Sequence, residues 1–147
     1  MSDVSQFPPA VADASKVGTY SALSKAGGGF VWDAVLEYRV WVHQGHDAGD
    51  EGQSDYFRAF VNYSDAAEFA RDQPGAEEPL ALVLQEEYID ESAPGQYLHV
   101  REQRITEWPV SFLRRPRRTS ETIPRFLAPD APPNRLEILR GTALDEL

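Results

Sequence analysis

The stretch "AVLEYRVWVH", residues 34–43, decides the fold. Leu36, Tyr38, Val40 and Val42 alternate there with Glu37, Arg39, Trp41 and His43. A period of two sends alternate side chains to opposite faces, so the stretch reads as a half-buried strand. Its polar face carries two opposite charges, an indole and an imidazole, and is the first place to look for function.

The neighbouring segments extend the same pattern. In "YFRAFVNY", residues 56–63, Phe57, Ala59, Val61 and Tyr63 fall on one face and Tyr56, Arg58, Phe60 and Asn62 on the other. This is the second strand. "SDAAEFARDQPG" follows and reads as a helix. Ser64 or Asp65 caps it, Glu68 completes a capping box with Asp65, and Pro74-Gly75 stops it. Ala66, Phe69 and Ala70 share a side that can pack on a sheet. "PLALVLQEEYI", residues 79–89, is the most apolar run and predicts a single central strand. "DESAPGQ" reads as a loop turning at Pro94-Gly95. "YLHV" and "RITEW" read as two more strands joined by the tight turn "REQR", with Pro109 ending the ladder. The order β-β-α-β-β-β, with few crossovers, predicts an α+β fold: an antiparallel β-sheet with one helix packed on a face.

Composition divides the chain of 147 residues into three parts. Residues 1–29 are rich in Ala, Ser, Gly and Pro and end in "KAGGG", which reads as a flexible N-terminal arm and linker. A short helix at "VADASKV" is compatible with it. Residues 30–113 form the α+β domain. Residues 114–147 form a Pro/Arg-rich, partly helical docking segment, with helices expected at "SETIPRFL" (capped by Ser120) and "NRLEILRG" (capped by Asn134, closed by Gly141). Ile123, Phe126, Leu127, Leu136, Ile138 and Leu139 are too apolar for a solvated tail, so the segment should dock on the domain or on a protein partner.

Charge and composition exclude several classes. The net charge is −10. Residues 1–100 hold 17 acids and 5 bases, and residues 101–147 hold 7 acids and 9 bases. Such a body repels nucleic acid and anionic membranes. Only "RRPRR", Arg114 to Arg118, could attract either, and its expected partner is the chain's own acidic body. The absence of cysteine excludes disulfides, thiolate zinc sites and cysteine nucleophiles, and fits a reducing cytoplasm. There is no signal-peptide pattern and no membrane-length apolar run. A cytoplasmic location is the expectation. Nothing in the residues sets an oligomeric state.

Two constellations carry possible chemistry. "VHQGHDAGDEGQSDYF", residues 42–57, gathers His43, His46 and several carboxylates. The histidines stand three apart, whereas a helical zinc pair stands four apart. As a calcium loop starting at Asp47, it has glycine at the sixth position but Gly49 at the third and Arg58 at the twelfth. A glycine-spaced hairpin loop is the plainer reading, with metal binding through His43 and His46 as an alternative and no metal favoured. The second constellation is the sheet face. If the strands face the same way, Glu37, Arg39, Trp41 and His43 join Arg58, Gln85, Glu87, His99 and Arg101 on one polar, aromatic surface. That surface could bind a protein partner, and a His–Glu pair on it could transfer protons. It could equally be a solvated face with cross-strand charge pairs. No Gly-x-Ser-x-Gly elbow or Gly-x-x-x-x-Gly-Lys-Ser/Thr loop is present, and "AGGGF" precedes the first strand instead of joining a strand to a helix.

The runs "GAEEPLALVLQEEYIDE", "YLHVREQRITEWPVSFLRRPRR" and "APPNRLEILRG" resemble a family of small α-proteobacterial proteins labelled as GNAT-type (general-control-related) N-acetyltransferases. The resemblance covers roughly residues 35 to 142. It implies an N-acetyltransferase using acetyl-CoA, whose pyrophosphate such enzymes hold with a Gln/Arg-x-x-Gly-x-Gly/Ala loop at a helix N-terminus. No glycine of this chain stands in that pattern: Gly27 and Gly29 follow Ser24, and Gly141-Thr142-Ala143 follows Ile138. The residues themselves thus point first to a small binding or accessory module without a bound cofactor, recognising its partner through Glu37, Arg39, Trp41, His43, Arg58 and His99 or through residues 114–147. The resemblance points to an acetyltransferase.

Overall fold

The computed structural model describes residues 11–21, 25–43 and 55–142. Among the described residues seven strands run β1 (Lys25–Ala26), β2 (Ala34–Val42), β3 (Tyr56–Phe60), β4 (Leu80–Gln85), β5 (Tyr88–Ala93), β6 (Gln96–Val100) and β7 (Arg104–Pro109). Three helices, α1 (Tyr63–Asp72), α2 (Thr122–Leu127) and α3 (Arg135–Leu139), and 3-10 turns at Ala14–Lys16 and Val110–Arg114 complete the elements. The main sheet has the order β1-β7-β4-β2-β3, and β5-β6 form a separate two-stranded sheet. Every pair is antiparallel except β1 with β7. The fold is α+β, as the alternation implies.

Strand β2 is buried on both faces, not one. The register shifts between Val35 and Glu37, so Leu36 is an extra residue in a bulge. The bulge puts Val35, paired with Val83, on the same face as Tyr38, Val40 and Val42. That face packs with α1 through Ala66 and Phe69, and the Tyr38 and Tyr63 rings meet edge-on at 6.0 Å. Helix α1 starts earlier than its sequence suggests. Asn62 is the cap, its side-chain oxygen accepting from the Asp65 N–H at 2.8 Å, in place of Ser64 or Asp65.

The run "PLALVLQEEYI" is two strands, not one. After Gln85 the Glu86 N–H donates to the Asp33 carboxylate at 2.7 Å, and the ladder with β2 ends. The expected loop "DESAPGQ" instead supplies most of a hairpin, with β5 running to Ala93 and the turn confined to Pro94-Gly95. Gly95 takes φ +79 there.

The glycine run is not a linker. It crosses the α1-side face of the sheet, and the strands grip its carbonyls. Gly27 accepts from Thr106 and Arg104, both at 3.1 Å, and Gly28 from Trp108 at 2.9 Å and Gln85 at 3.0 Å. A β-carbon on Gly29 would lie 2.2 Å from Gln85 Nε2, and its φ is +86, so glycine is required there. Residues 11–21 are docked as well, with Val11 in the main core and the Ala12 N–H donating to the Val35 carbonyl at 2.8 Å.

The C-terminal segment docks on its own domain. Ile123, Phe126 and Leu139 form a second core with Val31 and Ile89. The basic run lies on aromatic rings: Arg115 over Trp108 and Phe112 at 5.0 and 4.2 Å, and Arg117 over Trp32 at 5.1 Å. Burial, then the nearby Arg140 charge, pulls Arg115 down to about 10. Arg118 forks onto Asp33 at 2.9 and 3.1 Å. Helix α2 begins at Thr122 with Glu121, not Ser120, in the cap position, and Asn134 caps α3 without a side-chain bond. Among the described residues no helix is long and apolar enough to cross a membrane.

Candidate functional site

The sheet face opposite α1 holds a buried charged cluster. Strand pairing sets Glu37 beside Leu82 and Leu82 beside Glu107, so two carboxylates flank one leucine across β2, β4 and β7. Arg39, one pleat further along β2, reaches both. Its Nε donates to Glu37 at 2.6 Å and its Nη1 to Glu107 at 2.8 Å. Glu37 and Arg39 are fully buried, and Glu107 is 13% exposed. The Trp41 indole N–H donates to the same Glu107 oxygen at 3.0 Å. Phe57, paired with Trp41, brings its ring within 4.3 Å of the Arg39 guanidinium. Trp41 and Phe57 are 4.9 Å apart between ring centres.

Burying one cation with two anions is costly unless every group is hydrogen-bonded. Part of that bonding comes from the main chain of the N-terminal segment. The Gly18 N–H donates to Glu37 at 2.8 Å, and Arg39 Nη2 donates to the Ser21 carbonyl at 2.6 Å. Between them Tyr20 comes close enough that burial, with the Asp13 and Glu37 charges, raises its phenol above the ordinary value. No buried side-chain polar atom among the described residues lacks a partner. The face therefore grips a turn-forming segment through the backbone: a carboxylate takes an N–H and a guanidinium takes a carbonyl.

Of the six residues that the sequence singled out, the structure brings Glu37, Arg39 and Trp41 together. Arg58 pairs with Val40 and so lies on the opposite, α1-side face, above Phe60 and Phe69. Gln85 is on that face too, holding the glycine run. His99 is on the separate β5-β6 hairpin, opposite Ile89. There its Nε2 meets Glu87 at 2.5 Å, and Glu87 faces Arg118 at 3.8 Å. His99 and Arg118 hold the Glu87 carboxyl below its ordinary value. The His–Glu pair thus exists, but away from the charged cluster. His43 sits at the exit of β2 with Nδ1 on Asp55 at 2.6 Å and Nε2 on Glu77. Its hydrogen bonds to the Glu77 and Asp55 carboxylates, which accept from the imidazolium, raise its pKa. Glu107 and Phe57 were missed as members. In "RITEW" the charge of Glu107 was visible, but not which face it joins.

The metal reading finds little to build on. His46 lies outside the described residues. The two His43 nitrogens address separate carboxylates instead of one point, and no group of three His, Cys, Asp or Glu among the described residues is placed to hold a metal ion. The acetyl-CoA fit is also poor. Strand β3 leads into α1, the longest helix, but the junction Val61-Asn62 has no glycine and the Asn62 side chain already takes the Asp65 N–H. Strand β4 leads into β5 and not into a helix. The described residues do not offer the pyrophosphate cradle that the resemblance implies.

Compared with family models, with curated proteins and with solved structures, the chain finds no match in any of the three.

Proposed function

We propose that this chain is a small cytoplasmic, non-enzymatic binding module whose Glu37–Arg39–Glu107–Trp41 face holds a peptide segment by its main chain. The observation that carries the reading is the pair of main-chain contacts, Gly18 N–H to Glu37 and Arg39 to the Ser21 carbonyl. Main-chain hydrogen bonds supply affinity that does not depend on the identity of the bound side chains. Residues 11–21 fill the face in cis. A tethered segment competes at an effective concentration of about a millimolar, so a partner must outbid it or find it released.

Gly18→Pro tests this. Proline removes the N–H and cannot adopt φ +89. A fluorescent peptide with the sequence VADASKVGTYS, residues 11–21, is titrated into both full-length chains. The variant should bind it at least about tenfold more tightly than the unaltered chain. If neither chain binds the peptide at about millimolar concentration, the reading fails. The acetyltransferase proposal makes a separate claim: calorimetric heat on titration with acetyl-CoA, unaffected by the peptide.

A further inference from the structure

We infer a second docking surface, in the groove between α2 and α3, that takes an acidic segment of a partner protein carrying an apolar anchor. The groove encloses about 420 Å³ and is floored by Phe126, Leu139 and the exposed Ile138, which shows 48% of its surface. Pro116 and Pro132 stiffen two of its walls. Among the described residues its charged lining is Arg125 and Arg135, with no carboxylate.

The charge around the groove selects the partner. Residues 114–147 carry seven arginines and five acids, on a chain whose net charge is −10. Four of those arginines are committed to the domain. Arg115 and Arg117 lie on rings, Arg118 on Asp33, and Arg135 over Tyr97 and Phe126 while its Nη1 donates to the Phe126 carbonyl at 2.8 Å. Arg135 is thus fixed with its charge at the groove wall. Arg125 is 80% exposed and, among the described residues, pairs with Glu121, one turn back on the chain. An exposed pair of that kind is weak and solvent-screened, so an incoming carboxylate can displace Glu121. The groove itself is an apolar slot with room for more than one side chain, as when anchor residues of a short segment enter a hydrophobic groove. A basic partner meets two guanidiniums, and a neutral one gains the slot alone.

The test is fluorescence anisotropy of a labelled peptide of repeating Glu and Leu against the full-length chain. Binding should weaken as salt rises, because exposed charges are screened. Ile138→Asp puts a carboxylate into the slot at an exposed position and should weaken binding about tenfold or more; Arg125→Glu should do the same. Leu98→Asp, on the exposed face of β6, should leave binding unchanged. A Lys–Leu peptide binding as well as the Glu–Leu peptide overturns the inference, as does Ile138→Asp binding unchanged, or no binding at low salt. The sheet-face reading uses a different peptide and a different variant, so either can fail alone.

Discussion

Arg39 and Glu37 stand two residues apart on one strand, their side chains fully buried and 2.6 Å apart, with Glu107 completing a charged row under the N-terminal segment. A pair of this kind contributes little net stability when intact, but breaking it strands a buried charge. Arg39→Ala should therefore destabilise the chain by about 3–5 kcal/mol in urea denaturation. Arg58→Ala, which loses only ring contacts on an exposed surface, should cost about 1 kcal/mol or less. Equal effects would show that the cluster is not the buried ion pair described.

Gly29 and Gly27 separate space from backbone conformation. Both have positive φ, +86 and +76, but only Gly29 has Gln85 where a β-carbon would go. Gly27→Ala should cost about 1–2 kcal/mol for the left-handed backbone alone. Gly29→Ala should add the loss of the Gln85 bonds to Gly28 and Val31, for about 3 kcal/mol or more in total. Thermal melts of the two variants compare them directly.

These two sites mark what was legible in the sequence. The alternation at residues 37–42 announced strand β2, and the helix and the antiparallel pairing followed from the turn residues. The burial of Glu37 and Arg39 did not follow, because their cover is residues 11–21, a run too poor in large apolar side chains to look folded. That segment docks through Gly18 N–H and the Ser21 carbonyl, groups every residue type carries, so no side chain advertised them. The same holds for the glycine run, whose carbonyls satisfy Gln85, Thr106 and Trp108. Arg58 was placed on the wrong face for a different reason. Alternation tells which residues of a strand go together, and only register tells which face of the next strand they meet.

The docked C-terminal segment should unfold with the domain. Ile123 is fully buried with Val31 and Ile89, residues of the domain itself. Ile123→Ala should cost about 2–5 kcal/mol and lower one shared transition, seen alike by tryptophan fluorescence and by circular dichroism. Two separated transitions would mean that the segment folds apart from the sheet.

His43 gives the stability a pH dependence of known sign. It joins the exit of β2 to Asp55, just before β3, and to Glu77, just before β4. Those two hydrogen bonds favour the imidazolium and raise its pKa in the folded chain. A group raised on folding contributes its full stability below the unfolded value, about 6.5, and loses it as pH climbs through the folded value. The melting temperature should therefore fall as pH rises above about 6.5, beyond what the rest of the chain imposes. In His43→Gln that component should vanish while Glu87, whose carboxyl is held low by His99 and Arg118, keeps its own loss of stability as pH falls below the ordinary carboxylate range. Proton NMR of the His43 ring through the same range reads the titration directly. A midpoint at or below the ordinary histidine value, or an identical slope in His43→Gln, would show that the two carboxylates do not clamp the imidazolium in solution.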